Sequence, residues 1–76
     1  ENAEDVRIEQ GDDGLWQLEG EWLKRVAAMV NFSDYESRMY FDRCLRKAGI
    51  YDRLEQMGIQ DGDTVCIYDL MFDFRY

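Results

Sequence analysis

The side chains and motifs that this 76-residue chain lacks exclude most enzyme classes. It contains no histidine, the side chain that most often serves as an acid or base near neutral pH. It has no Gly-x-x-x-x-Gly-Lys-Ser/Thr loop to hold nucleotide phosphates, and no apolar run long enough to span a membrane. Its serines have no neighbouring base, and its acidic pairs lie in turn sequences. We therefore expect that the chain is not an enzyme, and we predict no catalytic, cofactor-binding or metal site.

Cysteine is also scarce, with Cys44 and Cys66 as the two examples. Two cysteines are too few for a disulfide framework, and without histidine or a Cys-x-x-Cys pair they do not form a typical zinc site. Cys44 falls on the apolar face of a predicted helix and Cys66 in a predicted strand. We predict two small, buried or half-buried free thiols, with a structural disulfide as the alternative.

Basic residues are outnumbered, and the formal net charge is −8. Residues 1–21 carry eight acidic side chains against Arg7 alone. Such a surface repels phosphate backbones, so we expect no direct DNA binding, and the absence of an apolar span predicts no membrane contact. The chain starts with Glu1 and shows no signal peptide, which suggests a piece of a larger cytoplasmic protein. We expect residues 1–5 to end an acidic linker and residues 6–76 to form one small domain.

Hydrophobic periodicity and turn residues predict seven elements in the order ββαααββ. A hairpin is expected from strands 6–10 and 15–19, followed by helices at about 21–30, 34–48 and 51–57. Asn31 is a plausible left-handed end for the first helix, and Ser33 with Glu36 resembles a capping box for the second. Two further strands are expected around Val65 to Ile67 and around Phe72 to Tyr76.

The connection between these last two strands, at Tyr68–Asp69, has no glycine. This makes a poor two-residue turn and favours a longer or bulged one. Because the order contains no repeated strand–helix–strand unit, we predict an α+β fold: a small antiparallel sheet with three helices packed on one face.

One helix surface is a candidate interaction face. The apolar stripe of the second helix predicts that Ser37, Phe41, Cys44, Leu45 and Ala48 face the core. The opposite side then carries an aromatic and basic line: Tyr35, Met39, Arg43 and Arg46. Arg, Tyr and Met are enriched at interfaces, so this line could dock another domain, a protein or ribosomal RNA. The alternative is a solvated helix face whose long side chains cover nearby apolar surface.

A series of aromatic, glycine, apolar and polar residues at fixed spacings carries a family resemblance over roughly residues 6–74. It comprises Trp16-x-Leu18-x-Gly20, Asn31-Phe32, Phe41, Leu45, Gly49-Ile50, Leu54, Gly58-Ile59, Gly62-Asp63-Thr64-Val65-Cys66-Ile67 and Phe72-Asp73-Phe74. The series resembles the small C-terminal domain of Obg-type GTPases, the Obg/CgtA family. Its positions suit helix ends, core anchors and turns, so it is a signature of fold and not of catalysis. The family usually has glycine at position 68 and often an acidic residue at position 24, where this chain has Tyr68 and Lys24.

The resemblance implies a parent protein with a separate nucleotide-binding domain that uses GTP and magnesium. Such a parent would associate with the large ribosomal subunit, in its assembly and in stress responses. The domain's implied role is to regulate ribosome docking, GTPase behaviour or partner choice, with the parent GTPase body as its partner in cis and a stress-signalling protein as another. Two alternatives remain open: a stand-alone acidic protein-interaction module, and a small-ligand sensor in an unrelated parent.

Overall fold

The computed structural model describes residues 2–76, and its elements follow the predicted order. A short 3-10 turn, Ala3–Asp5, comes first, within the segment expected to end a linker, while Glu1 lies outside the described residues. The elements that follow are β1 (Arg7–Gln10), β2 (Trp16–Glu19), α1 (Glu21–Ala28), α2 (Tyr35–Lys47), α3 (Ile50–Gln56), β3 (Thr64–Ile67) and β4 (Leu70–Asp73). The α+β class and the ββαααββ order are confirmed.

The sheet is mixed, which corrects the expectation that it would be antiparallel throughout. Its strand order is β1-β2-β3-β4, and the two outer pairs are antiparallel hairpins. The central pair is parallel, with Trp16 opposite Val65 and Leu18 opposite Ile67. Parallel neighbours require a crossover of a dozen or more residues, and the three helices together provide one. The sequence pattern concealed this crossover because it uses three helices where the usual strand–helix–strand unit has one.

Alternation along the strands places one face of the sheet against the helices. Ile8, Trp16, Leu18, Val65 and Ile67 are buried in a core shared with helix residues. The helices supply Leu23, Phe41, Leu45, Ile50, Tyr51 and Leu54. The opposite, open face carries the exposed side chains Arg7, Glu9, Gln17, Glu19, Met71 and Asp73. Cys66 alternates onto this open face between Gln17 and Met71, and it is buried because its side chain is small and its strand is central.

Tyr68 and Asp69 form a two-residue turn, so the prediction of a longer or bulged connection was wrong. Ile67 pairs directly with Leu70 across this turn. Tyr68 has a φ of 55°, the only positive φ outside glycine in residues 2–76. A positive φ at the first central residue alone is the pattern of a type II′ turn, which normally has glycine there. The Tyr68 hydroxyl compensates, since it accepts a hydrogen bond from the Gly20 amide (2.9 Å) and donates one to the Gly20 carbonyl (3.0 Å).

The segment between α1 and α2 differs from the sequence prediction at two points. α1 ends at Ala28 with Met29 as its C-cap in right-handed geometry, so Asn31 is not a left-handed terminator. α2 is capped by Asp34, whose Oδ2 accepts a hydrogen bond from the Ser37 amide at 2.9 Å. The Ser33 hydroxyl is engaged elsewhere, because it donates to Asn31 Oδ1 at 2.7 Å. The N-cap is therefore Asp34, one residue after the predicted Ser33.

Asp63 connects the turn before β3 to two other parts of the sheet by hydrogen bonds. Its Oδ2 accepts hydrogen bonds from the Trp16 indole N–H at 3.0 Å and from the Gln60 backbone N–H at 2.9 Å. Its carbonyl accepts one from the Phe74 amide at 2.7 Å. The predicted turn residue is thus also a structural anchor. By contrast, Met57 lies at the end of the third helix as predicted from sequence and is 49% exposed.

Candidate interaction surfaces

The predicted interaction face on α2 is exposed, and three of its four residues lie together. Tyr35 is 65% exposed and Met39 36% exposed. These two side chains and Arg43 line one shallow hollow along the helix. The Arg38 guanidinium lies 5.8 Å from the centre of the Tyr35 ring, so a second cation borders the hollow. The hollow therefore combines aromatic, thioether and cationic groups within reach of a partner.

Arg46, the fourth predicted residue, is turned toward α3. Its guanidinium lies 4.8 Å from the centre of the Tyr51 ring, and its Nη2 lies 3.7 Å from Asp42 Oδ2. Asp42 also accepts a 2.6 Å hydrogen bond from the Tyr51 hydroxyl. Burial and this hydrogen bond both raise the pKa of Tyr51, so the ring stays neutral across the physiological range. Arg46 thus takes part in the contact between α2 and α3, apart from the hollow.

Tyr40 belongs to the hollow, although sequence analysis did not select it. It is 52% exposed and lines the hollow beside Arg43. Interaction with the neighbouring Cys44 thiol raises the pKa of Tyr40. The available signal was helical spacing: Tyr40 lies outside the predicted core stripe and three residues before Arg43. The two thiols are free, with Cys44 half-buried and Cys66 buried, as predicted.

A second surface is acidic and lies on the first hairpin and its flanks. We call it the acidic hairpin surface and define it by seven exposed side chains: Glu4, Asp5, Glu9, Asp12, Asp13, Glu19 and Glu21. Arg7 is the basic residue within this stretch, and its Nη2 lies 3.1 Å from Glu19 Oε1. The basic side chains of α2 lie elsewhere in the chain, at Arg38, Arg43, Arg46 and Lys47. Charge is therefore distributed unevenly, and a basic partner would be attracted mainly to the hairpin.

Residues 2–76 contain no group of three or more His, Cys, Asp or Glu side chains placed to hold a metal ion. No helix in the same residues is long and apolar enough to cross a membrane. The candidate sites in these residues are therefore two contact surfaces, the hollow on α2 and the acidic hairpin surface.

Comparison with known proteins decides the family. Residues 6–74 match the model of a domain of unknown function, DUF1967, which is the C-terminal domain of Obg GTPases. This chain belongs to that family. The match covers the whole sheet and all three helices, so the resemblance inferred from the series of spaced residues is confirmed. No solved structure matches this chain.

Relatives of this Obg domain carry the name GTPase Obg. The chain is 51% identical over 63 residues to GTPase Obg of Ruminiclostridium cellulolyticum, which covers 83% of this chain and 15% of the relative. It is 49% identical to GTPase Obg of Acetivibrio thermocellus over the same shares of each chain. GTPase Obg of Clostridium novyi is 45% identical over 69 residues, 91% of this chain and 16% of that protein.

The chain thus spans about one-sixth of the length of these relatives. It matches the small C-terminal domain of these GTPases, and its 76 residues contain no phosphate-binding loop.

Proposed function

We propose that this chain is a non-catalytic regulatory domain of an Obg-type GTPase that acts in the cytoplasm, in large ribosomal subunit assembly and in stress responses. Support comes from relatives named GTPase Obg that match across 83–91% of the chain. In this proposal GTP and magnesium bind to the separate nucleotide-binding domain of the parent. The domain's first partner is that GTPase body, to which it is tethered, and it has no cofactor of its own.

The acidic hairpin surface is the observation that carries the proposed mechanism. A tethered cluster of carboxylates competes with ribosomal RNA for basic surface on the GTPase body. Tethering raises the effective concentration of the domain near that surface, so a weak contact is sufficient. The domain then acts as an electrostatic brake on ribosome docking. Because exposed charges are screened by salt, the brake weakens as ionic strength rises.

Co-sedimentation of the full-length parent with large ribosomal subunits tests the brake. Removal of this domain is expected to raise ribosome binding at low salt and to have less effect at moderate salt. A finer test neutralises three carboxylates of the acidic hairpin surface in the full-length protein, with Glu4→Gln, Glu9→Gln and Asp12→Asn. The matched control makes the same charge change at exposed residues outside that surface, with Asp52→Asn, Glu55→Gln and Asp69→Asn.

The hairpin variant is expected to bind ribosomes more tightly than the matched control. Equal effects of the two variants would show that net charge, and not this surface, matters. No change on removal of the domain, at either salt concentration, would contradict the brake and point to a separate signalling partner.

A second candidate function is a docking arm, and the hollow on α2 favours it. There Tyr35, Met39 and Arg43 present groups that are common at protein interfaces. If removal of the domain weakens ribosome binding, Arg43→Glu is expected to reproduce the loss. Lys24→Glu, an exposed charge reversal on α1, is the control. Unchanged binding of a folded Arg43→Glu variant would exclude the hollow as the docking site.

A further inference from the structure

β4 is a terminal strand of the sheet, and one of its edges is unpaired within the sheet. The Phe74 amide donates to the Asp63 carbonyl, and the Phe74 carbonyl accepts from the Gly62 amide, both at 2.7 Å. Phe74 therefore directs its backbone groups toward the β3 side. Since this direction alternates along a strand, Met71 and Asp73 direct theirs away from β3. These outward groups form a template on which another strand can pair.

Two grooves run along this edge on the helix side and meet in the middle. The first, of about 750 Å³, lies between α1 and the turn before β4, and Ala27, Ala28 and Val30 contribute to its wall. The second, of about 210 Å³, lies between α2 and β4, with Met39, Phe41 and Phe72 in its lining. Phe32 and Leu70 line both grooves. Apolar surface is therefore continuous along the helix side of β4, and we call it the β4 groove.

Charges differ on the two sides of this edge. On the helix side charges of both signs line the β4 groove: Lys24 and Arg38 together with Glu19, Asp42 and Asp69. Arg38 is held by a 2.8 Å hydrogen bond from its Nη1 to the Phe32 carbonyl. On the strand itself, the last residue of β4, Asp73, is exposed. The side chain of Asp73 lies on the open face of the sheet, where Arg75 approaches it to 3.7 Å.

We propose that the β4 edge and groove bind an extended peptide segment in which apolar and basic residues alternate. The segment pairs with Met71 and Asp73 as a fifth strand. Side chains of successive residues point to opposite faces of a strand. One set of its side chains thus enters the β4 groove, where Phe41, Phe72 and the other apolar lining residues favour apolar groups. The other set lies on the open face, where Asp73 and the overall charge of −8 favour basic groups. Met39 lines both this groove and the hollow on α2, whereas the β4 edge belongs to neither surface used in the proposed function, and the inference does not depend on that proposal.

The test uses the 76-residue chain and three capped heptapeptides. The probe alternates lysine and valine, because β-branched residues favour strands. One control replaces valine by serine, which removes the apolar set, and the other replaces lysine by glutamate, which reverses the charge. By fluorescence anisotropy the lysine–valine peptide is expected to bind at least about tenfold more tightly than either control. Equal binding of all three peptides, or no binding of the probe, would overturn the proposal.

A backbone variant locates the site. Met71→Pro removes the outward-directed amide while leaving the groups that pair with β3, and proline is tolerated on edge strands. It is expected to weaken binding of the probe about tenfold, whereas Met71→Ala, which keeps the amide, stays within about twofold. Equal affinities of the two folded variants would show that the peptide does not add to β4.

Amide hydrogen exchange of the unmodified chain gives an answer even if Met71→Pro does not fold. Addition of the lysine–valine peptide is expected to protect the amides of Met71 and Asp73. The matched amides lie at the other edge of the sheet, on β1, and they should exchange as before. Protection confined to β1, or protection at neither edge, would contradict pairing at β4.

Discussion

At the scale of single residues, Tyr68 uses its side chain to offset an unfavourable backbone conformation. A φ of 55° is costly for a residue with a Cβ, and the resembled family usually has glycine at this position. Here the hydroxyl bonds both backbone groups of Gly20 and thereby joins the last hairpin to the start of α1. Where the family usually has a glycine that adopts a positive φ easily, this chain has a tyrosine whose hydroxyl contacts Gly20 instead.

Tyr68→Phe should therefore destabilise the domain. The change keeps the ring and the strained φ but removes two hydrogen bonds in a half-buried setting. We expect the free energy of unfolding to fall by about 1–2 kcal/mol, measured by urea denaturation. Tyr35→Phe is the control, because Tyr35 is 65% exposed on α2, and its effect should be within about 0.5 kcal/mol. Equal stabilities of the two variants would mean that the contact with Gly20 contributes nothing.

At the scale of elements, the start of α2 offers two neighbouring residues that could serve as its N-cap, and the fold uses one of them. Ser33 and Asp34 both suit the N-cap position, and Ser33 with Glu36 fits the capping-box pattern. The structure uses Asp34, whose carboxylate accepts from the Ser37 amide. Asn31 holds the Ser33 hydroxyl in the preceding turn, which leaves the cap to the next residue. Local sequence allowed either choice, and the path of the chain out of α1 selected one.

Asp34→Ala is expected to lower the free energy of unfolding by about 1 kcal/mol, the usual cost of losing an N-cap. Ser33→Ala removes an exposed hydrogen bond and should cost less, within about 0.5 kcal/mol. Thermal melts followed by far-UV circular dichroism would measure both. A larger loss for Ser33→Ala than for Asp34→Ala would restore the capping box predicted from sequence.

At the scale of the whole molecule, stability reflects a small core and an excess of negative charge. The ion pair between Arg7 and Glu19 is exposed, as are those of Arg75 with Asp61 and Asp73, and such pairs add little stability. The net charge of −8 instead produces repulsion across a chain of 76 residues. Screening of that repulsion should outweigh the loss of the ion pairs.

We therefore expect the melting temperature of the chain to rise as sodium chloride increases from about 10 mM to about 200 mM. The double variant Glu9→Gln with Asp12→Asn carries two fewer negative charges, so its net charge is −6 by subtraction from −8. Its melting temperature should be higher at low salt and should rise less. A melting temperature that falls with salt in the unmodified chain would show that its ion pairs outweigh the repulsion.

Local patterns predicted the elements well and the candidate site only in part. Buried alternation at Trp16 and Leu18, and left-handed glycines such as Gly49, placed strands and helix ends correctly. Helical spacing identified Tyr35, Met39 and Arg43 as exposed neighbours but could not show that Arg46 turns toward Tyr51. That contact depends on α3, whose position relative to α2 is not encoded in the spacing of α2 alone.

The sequence by itself determined the order of the elements, the core positions, the acidic charge and the absence of a phosphate-binding loop, because each depends on residue type and local spacing. Only the tertiary structure decided the parallel pairing of β2 with β3, since strand direction follows from the path of a crossover and leaves no local signature. It also decided that Tyr68 reaches Gly20 and that Phe32 and Leu70 line the same grooves, since both depend on residues far apart in the chain. The two grooves beside β4 arise from such contacts, and no sequence pattern indicated them.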